Sequence, residues 1–405
     1  MMADRGITLT HTTIRLTLLR DGTEIGRRVA IQVRKRFRSE ITNMDFNQSP
    51  LLVIWEVTQS CDLACAYCRA SAMPSRHPDE LTTAEGYNLI DRVREFGNPL
   101  MVFTGGDPLK RPDLFDLIRY SVAAGLRTNV TPSATPLLTN EAIDRFQVCG
   151  ISRMALNLDG PDAAIQDGFR GVGGTFDRVM GAARHARDIG LETQIQTTVT
   201  RRNFTNLAQI AERVADVHGK MWSLFFPVVT SRALENDDLS AEEYETVFEF
   251  LYEISKIAPF DVKTTEGMHY RRYIAQRLKS EHGGKGGAQG RLLWRTAGVS
   301  DAQGFMFVSH TGEIFPSGFL PVSAGNVRKD SLVEVYRNSG LFQVLRDPSM
   351  REGKCHFCEY TKICGGSRAR AYALTGNYLA EDPRCAYRPA AYEENVAEFA
   401  SAAHS

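Results

Sequence analysis

An α/β fold built on a parallel sheet is predicted by two observations. Apolar runs of strand length alternate with amphipathic stretches of helix length through the middle of the chain, and most of the helical stretches end in Gly, the residue that leaves a helix most readily in the left-handed conformation. The strand candidates, in order, are LLVIWEV (51–57), LMVFTGG (100–106), LRTNVTP (126–132), RMALNLDG (153–160), TQIQTTVT (193–200) and MWSLFFPVV (221–229). Helix candidates lie between them, such as AEGYNLIDRVREFG, DLFDLIRYSVAAG, GTFDRVMGAARHARDIG and NLAQIAERVADVHG, and SAEEYETVFEFLYEISKIAP follows the last strand. The repeated β-then-α order fits an open doubly wound sheet or a barrel, and six units fall short of a closed eightfold barrel. In both architectures ligands gather at the C-terminal ends of the strands.

The flanks differ from this core. Residues 7–37 read as two strands joined by the turn RDGTE, a hairpin within an N-terminal extension, 1–47. The core then spans 48–260. Beyond it the Gly-rich stretch GGKGGAQG reads as a linker or mobile loop, followed by the short strands of GFMFVSHTGEIFPSGF and a cysteine-bearing tail, which together indicate a small domain over 261–405.

A chain of 405 residues with 43% hydrophobic and 24% charged residues describes a water-exposed globular protein of two or three domains. Lysine plus arginine equal aspartate plus glutamate at 48 each, so no global field draws nucleic acid or an anionic membrane. The N-terminus carries charge where a signal peptide needs an apolar core, and no run long enough to span a bilayer occurs, so a cytoplasmic location is expected. In a reducing cytoplasm eight cysteines are better read by their spacing than as disulfides. Cys149, alone in RFQVCG, reads as a buried small hydrophobe.

SCDLACAYC (60–68) places Cys61, Cys65 and Cys68 directly after the first strand, on the functional rim. A loop this tight can turn three thiolates onto one inorganic centre, and thiolates select zinc or iron–sulfur clusters. A structural zinc site wants four protein ligands, for which His77 is the nearby fourth. A [4Fe–4S] cluster on three cysteines instead leaves one iron open to a non-protein ligand.

The C-x3-C-x2-C spacing, with Tyr67 just before the third cysteine, resembles the signature of the radical S-adenosylmethionine (radical SAM) superfamily. The resemblance implies a partial (β/α)6 TIM-like barrel with a small C-terminal α+β iron–sulfur domain. It also implies that S-adenosylmethionine chelates the open iron and is cleaved by one electron to methionine and a 5′-deoxyadenosyl radical, which abstracts hydrogen from the substrate. FTGGDP resembles the family's GGE motif, so Gly105, Gly106 and Asp107 are expected at the cofactor's ammonium. NLDGP resembles the S-x-D-G segment, with Asn157 hydrogen-bonding the cofactor, while Arg170 in DGFRGVGG matches an arginine that pairs with its carboxylate. Tyr67, Ser133 and Gln196 complete the expected cofactor contacts.

Cys355, Cys358, Cys364 and Cys385 offer four thiolates at C-x2-C-x5-C plus one more distant, a spacing that suits zinc and iron–sulfur equally. The segment resembles SPASM and twitch domains, which implies one auxiliary [4Fe–4S] cluster with four Cys ligands. Relatives often carry cysteine at the positions of Ser317 and Ser367, so no second auxiliary cluster is expected. The combination of WEVTQSCDLACAYCRASA, KTTEGMHYRR, GFLPVSAGNV and CGGSRARAYALTGNYLAEDPRC resembles the radical SAM enzymes that trim tetrapyrrole side chains, among them the heme synthases that decarboxylate Fe-coproporphyrin and the heme d1 group. The implied reaction is hydrogen abstraction from a propionate or acetate, with loss of CO2 or of the side chain, and a reductant such as flavodoxin or ferredoxin. Arg271 and Arg272 beside His269, or Arg368 and Arg370, are candidates to meet substrate carboxylates; an exposed helical charge run accounts for each pair equally. The rival substrate is a ribosomally made peptide, and a non-catalytic zinc protein is the rival of another class.

Overall fold

Strands and helices alternate as the periodicity indicates: β1 Leu52–Glu56, α1 Thr83–Arg94, β2 Leu100–Thr104, α2 Leu114–Ala123, β3 Arg127–Val130, α3 Asn140–Val148, β4 Arg153–Asn157, α4 Ala163–Arg170, α5 Thr175–Asp188, β5 Thr193–Thr198, α6 Leu207–Asp216, β6 Met221–Phe225, α7 Ala241–Ile257, β7 Asp261–Thr265 and α8 Tyr270–His282. After α8 come β8 Phe305–Val308, β9 Glu313–Phe315, β10 Gly325–Asn326 and the short helices α9 Leu332–Asn338, α10 Gly340–Arg346, α11 Lys354–Phe357 and α12 Arg368–Thr375. This is a computed structural model that describes residues 45–229, 237–282 and 299–395. The expected hairpin at 7–37 and the Gly-rich stretch at 283–290 lie outside the described residues.

The strands form one sheet in the order β10-β9-β8-β1-β2-β3-β4-β5-β6-β7, in which β1 to β7 and the β1–β8 pair are parallel and β9 and β10 antiparallel. The α/β fold with a parallel, unclosed barrel sheet is therefore present. All six expected strands are in it, and β7 is a seventh that the sequence hides. Its residues DVKTT contain one strongly apolar side chain, because an edge strand buries little of either face. The sheet also continues past residue 260, where the sequence divides the chain. β7 begins at Asp261 beside β6, and β8 satisfies the other edge of β1.

Alternation sorts the side chains. In β5, Thr193, Ile195 and Thr197 are buried, whereas Gln194, Gln196 and Thr198 on the opposite face are half-buried. The buried face meets the helices. Trp55 of β1 packs on Phe103 of β2 with ring centroids 5.7 Å apart, and a Cβ on Gly86 of α1 would stand 2.7 Å from the Trp55 ring. Helix starts follow their capping chemistry: Thr82 with Glu85 and Ser240 with Glu243 form reciprocal capping boxes at α1 and α7. Cys149 ends α3 buried, as expected of a small hydrophobe.

The C-terminal segment is tied to the strand ends by buried arginines. Arg370 of α12 pairs with Asp382 at 3.1 Å and donates to the carbonyl oxygens of Glu266, at 2.6 Å, and Pro227, just past β7 and β6. Both partners of that ion pair are inaccessible to solvent. Although burial opposes it, Arg370 and then His269 hold the Asp382 carboxyl far below the usual range. Removing one charge leaves the other buried and unpaired, so Arg370→Met is expected to cost about 3–5 kcal/mol in a urea unfolding titration. A loss below about 1 kcal/mol would show that the pair does not hold this segment.

Candidate active site

The cysteine loop leaves β1 and is folded back on itself. The Cys61 amide donates to Met73 O at 2.8 Å, the Met73 amide to Gln59 O at 3.2 Å, and Ser60 Oγ to Pro74 O at 2.9 Å. The far side of the loop rests on the end of α4, through Ala64 N to Arg170 O at 3.1 Å and Ala66 N to Phe169 O at 3.2 Å. This contact requires Gly171, which has φ +66° and where a Cβ would stand 2.8 Å from Ala64 O. Two amides already point at sulfur: Leu63 N lies 3.4 Å from Cys61 Sγ and Ala72 N 3.3 Å from Cys68 Sγ. Just beyond Cys68, Arg69 pairs with Glu56 at the end of β1 at 2.6 Å, and Glu56 also binds His310 Nδ1 at 2.6 Å.

Gly105 and Gly106 lie against the chain leading into the loop. A Cβ on Gly106 would meet Ser60 O at 2.4 Å and Gln59 O at 2.5 Å, and one on Gly105 would meet Thr58 O at 2.6 Å. The glycines are therefore required by close backbone approach. Asp107 is fully buried. Its carboxylate accepts from Thr135 Oγ1 at 2.6 Å and from the amides of Ser133, at 3.3 Å, and Leu109, at 3.2 Å. Burial raises its pKa against these hydrogen bonds. Through these bonds the side chain ties the turn after β2 to the loop after β3. Ser133 connects the two, its Oγ donating to Gly106 O at 2.7 Å and lying 3.7 Å from Cys61 Sγ.

Arg170 stands beside the second cysteine, with Nη1 3.6 Å from Cys65 Sγ, and its other nitrogen pairs with Asp159. Asp159 also accepts from the Thr198 amide at 2.7 Å. Asp159 is a residue the sequence reading passed over, although it sits in NLDGP. Tyr67 turns its hydroxyl away to Asp237 Oδ2 at 2.6 Å and sets its ring 5.4 Å from that of Phe169. Asn157 and Gln196 are register partners on β4 and β5, half-buried on the open face of the sheet. His77, the candidate fourth zinc ligand, is elsewhere: its ring packs on His310, 5.4 Å away, and its Nδ1 accepts from the Asp79 amide.

Cys355, Cys358, Cys364 and Cys385 line one cavity together with His269, Arg272, Lys354 and Asp382. Burial, with Glu359 and the neighbouring thiols, pushes Cys358 up to about 12; burial, with Asp382, pushes Cys385 to about 11; and burial with the neighbouring thiols takes Cys364 higher still. Among the described residues no three His, Cys, Asp or Glu side chains converge as a single metal ion would require. His269 is fully buried, with no hydrogen bond to either ring nitrogen among the described residues, and burial lowers its pKa to about 3. Ser367 caps α12 by accepting from the Arg370 amide at 2.9 Å and donates to Glu266.

Neither expectation for the four arginines holds in its simple form. Arg272 pairs with Glu245, Arg370 with Asp382, Arg368 donates to Tyr378 O at 3.1 Å and Arg271 to Val299 O at 2.6 Å. They are neither an exposed charge run nor free for a substrate. Two residues of the open face were missed, Ser223 on β6 and Lys263 on β7. The only sequence signal for them is the alternation of MWSLF and DVKTT.

Comparison with known proteins follows the same outline. The radical SAM superfamily profile matches residues 55–214. The chain is 42% identical over 343 residues to the AdoMet-dependent heme synthase of Nitratidesulfovibrio vulgaris, across 84% of this chain and 92% of that one. It is 38% identical over 349 residues to the AdoMet-dependent heme synthase of Methanosarcina barkeri, across 84% and 97%. In three dimensions it resembles the crystal structure of Streptococcus suis SuiB with a TM-score of 0.67 over 91% of this chain and 85% of that one, at 16% identity, a likeness of fold. Among the described residues no helix is long and apolar enough to cross a membrane.

Proposed function

This chain belongs to the radical SAM superfamily, among the relatives of the AdoMet-dependent heme synthases, and on that premise we propose that it oxidatively decarboxylates or removes a carboxylated side chain of a tetrapyrrole, as in Fe-coproporphyrin. The observation that carries the reading is identity of 42% and 38% to two heme synthases, each across 84% of the chain. Likeness to SuiB at 16% identity speaks for the fold and adds nothing for a peptide substrate.

Cys61, Cys65 and Cys68 would hold a [4Fe–4S] cluster, and the donor set fits: three free thiols in one loop, with two amides and a guanidinium directed at their sulfurs. When bound, such a cluster with one open iron supplies the electron that cleaves S-adenosylmethionine and so initiates hydrogen abstraction. The chain's own part is to position and to shield. Loop closure at Ser60–Met73 and docking on α4 set the three sulfurs before any ligand arrives. Gly105 and Gly106 bring backbone up to the loop, with Asp107 as the brace behind them and Ser133 as the bridge to Cys61. Asn157 and Gln196 present amides to the cofactor, and Arg170, fixed by Asp159, sets positive charge beside Cys65. Tyr67 contributes its ring edge, since its hydroxyl is taken by Asp237.

Cys355, Cys358, Cys364 and Cys385 would hold an auxiliary [4Fe–4S] cluster. Cys358, Cys364 and Cys385 have raised pKa values and need a cationic centre to become thiolates together, and four thiols lining one cavity suit a multi-iron body. Full ligation by four cysteines suits electron transfer, which the reaction requires, because loss of a hydrogen atom and of CO2 from a propionate leaves one electron over. Eight free cysteines accord with a reducing cytoplasm and a reductant such as flavodoxin or ferredoxin.

The test is chemical analysis of anaerobically reconstituted protein, followed by dithionite, S-adenosylmethionine and candidate substrates. About eight irons per chain, 5′-deoxyadenosine, and its stimulation by Fe-coproporphyrin with release of CO2 are expected. Stimulation by a peptide and not by porphyrin would sink the tetrapyrrole reading. Zinc without acid-labile sulfide and no cleavage would sink the enzyme reading as a whole.

A further inference from the structure

We propose that Lys263 is a carboxylate-binding residue of the active site, where its ammonium holds a carboxylate of the bound ligand, foremost a side-chain carboxylate of the substrate. The inference deepens the function proposed above and rests on it for the substrate's identity. Asn157, Gln196, Ser223 and Lys263 are successive register partners across β4, β5, β6 and β7. Register partners on parallel strands point to the same face, so the four make one polar row about 14 Å long at three strand spacings. That face is the open one, since their neighbours Leu156, Ile195, Thr197, Trp222 and Leu224 are the buried residues packed toward the helices.

Two members of the row are unspent. Ser223 Oγ is fully buried and has no hydrogen-bond partner among the described residues. A buried hydroxyl left without a partner is costly unless a ligand or water completes it. The Lys263 ammonium makes no hydrogen bond or ion pair within the described residues, and the side chain is exposed to solvent. Although the side chain is exposed at the sheet edge, the protein packed around its stem and then the like charges of Arg271 and Arg153 lower the ammonium to about 8. A ligand carboxylate supplies the missing counter-charge.

The other cations near the site are already held. Arg170 pairs with Asp159, Arg69 with Glu56, Arg153 with Glu192 at 2.8 Å, and Arg272 and Arg370 with their own carboxylates. Arg271 is spent on the Val299 carbonyl. A substrate bearing several carboxylates, seated over the open face, meets Lys263 at the end of the row away from Asn157 and Gln196, whose amides face the cofactor.

The experiment measures equilibrium binding to the reconstituted, cluster-loaded protein for the wild type, Lys263→Met and Lys263→Arg. Fe-coproporphyrin is followed by its absorbance and S-adenosylmethionine by equilibrium dialysis. Loss of one charge-assisted hydrogen bond predicts a Kd for Fe-coproporphyrin weaker by about tenfold or more in Lys263→Met. Lys263→Arg recovers most of that loss, and the Kd for S-adenosylmethionine stays put. If S-adenosylmethionine weakens instead, the same chemistry holds with the cofactor's carboxylate as its source. Both constants unchanged within about twofold overturn the proposal. If the wild type binds no porphyrin, the tetrapyrrole function fails, and the cofactor arm alone then decides Lys263. Lys263→Gln replaces the Met variant if that protein loses its iron.

Discussion

Replacing Cys65 by Ala is expected to abolish formation of 5′-deoxyadenosine and to lower the iron content by about four atoms per chain. The expectation rests on how the loop is built. Cys61 is buried and Cys68 receives the Ala72 amide, so each of these thiols is positioned by contacts of its own. Cys65 is the sulfur beside the Arg170 guanidinium, on the side of the loop that docks on α4. His77, the candidate fourth ligand nearby in sequence, is engaged with His310 and Asp79. A cluster held by two thiolates has lost a covalent ligand, and neighbouring hydrogen bonds do not replace it. Anaerobic iron analysis and chromatography of the cleaved cofactor read out the two effects separately. Undiminished 5′-deoxyadenosine in this variant would remove Cys65 from the cluster and refute the assignment.

Cys358→Ala is expected to stop complete turnover while leaving the first cluster assembled, with about half of the wild-type iron retained. Cys358 lines the cavity with Cys355, Cys364 and Cys385, so the variant leaves three of four ligands around it. The cysteine loop belongs to the chain between β1 and α1, and none of its hydrogen bonds reaches this cavity. Its cluster should therefore form normally. Cleavage of S-adenosylmethionine in the presence of dithionite separates the two sites: it should persist while release of CO2 from Fe-coproporphyrin falls away. Unchanged iron content and unchanged turnover would count against an auxiliary cluster. Loss of both clusters together would mean that the second site holds up the first.

A large part of the site was legible in the chain itself. Cys61, Cys65 and Cys68 are neighbours by covalent distance, so their spacing announces a shared centre whatever the rest of the protein does. The glycine pair at 105–106 was legible as a motif, but its reason was not, because the backbone it touches belongs to Thr58, Gln59 and Ser60. Asp107 shows the limit from the other direction. Its residue type and position suggest a cofactor contact, and only the folded chain reveals that Thr135, Ser133 and Leu109 donate to its carboxylate. The arginines near the C-terminus look like surface charge in sequence, and backbone carbonyls and Asp382 from distant segments draw them inside.

By itself the sequence determined the α/β class, six of the parallel strands, the glycines that end their helices and the two sets of thiols. These follow from short-range rules, the two-residue period of a strand, the turn chemistry of Gly and the spacing of ligands along a loop. Tertiary structure alone decided that β7 and β8 extend the sheet at either side, that Tyr67 turns to Asp237, and that Ser223 and Lys263 stand in a row with Asn157 and Gln196. A polar side chain is buried, paired or left free according to which partners the distant chain brings to it, and that pairing free energy is set across the fold and written in no single segment.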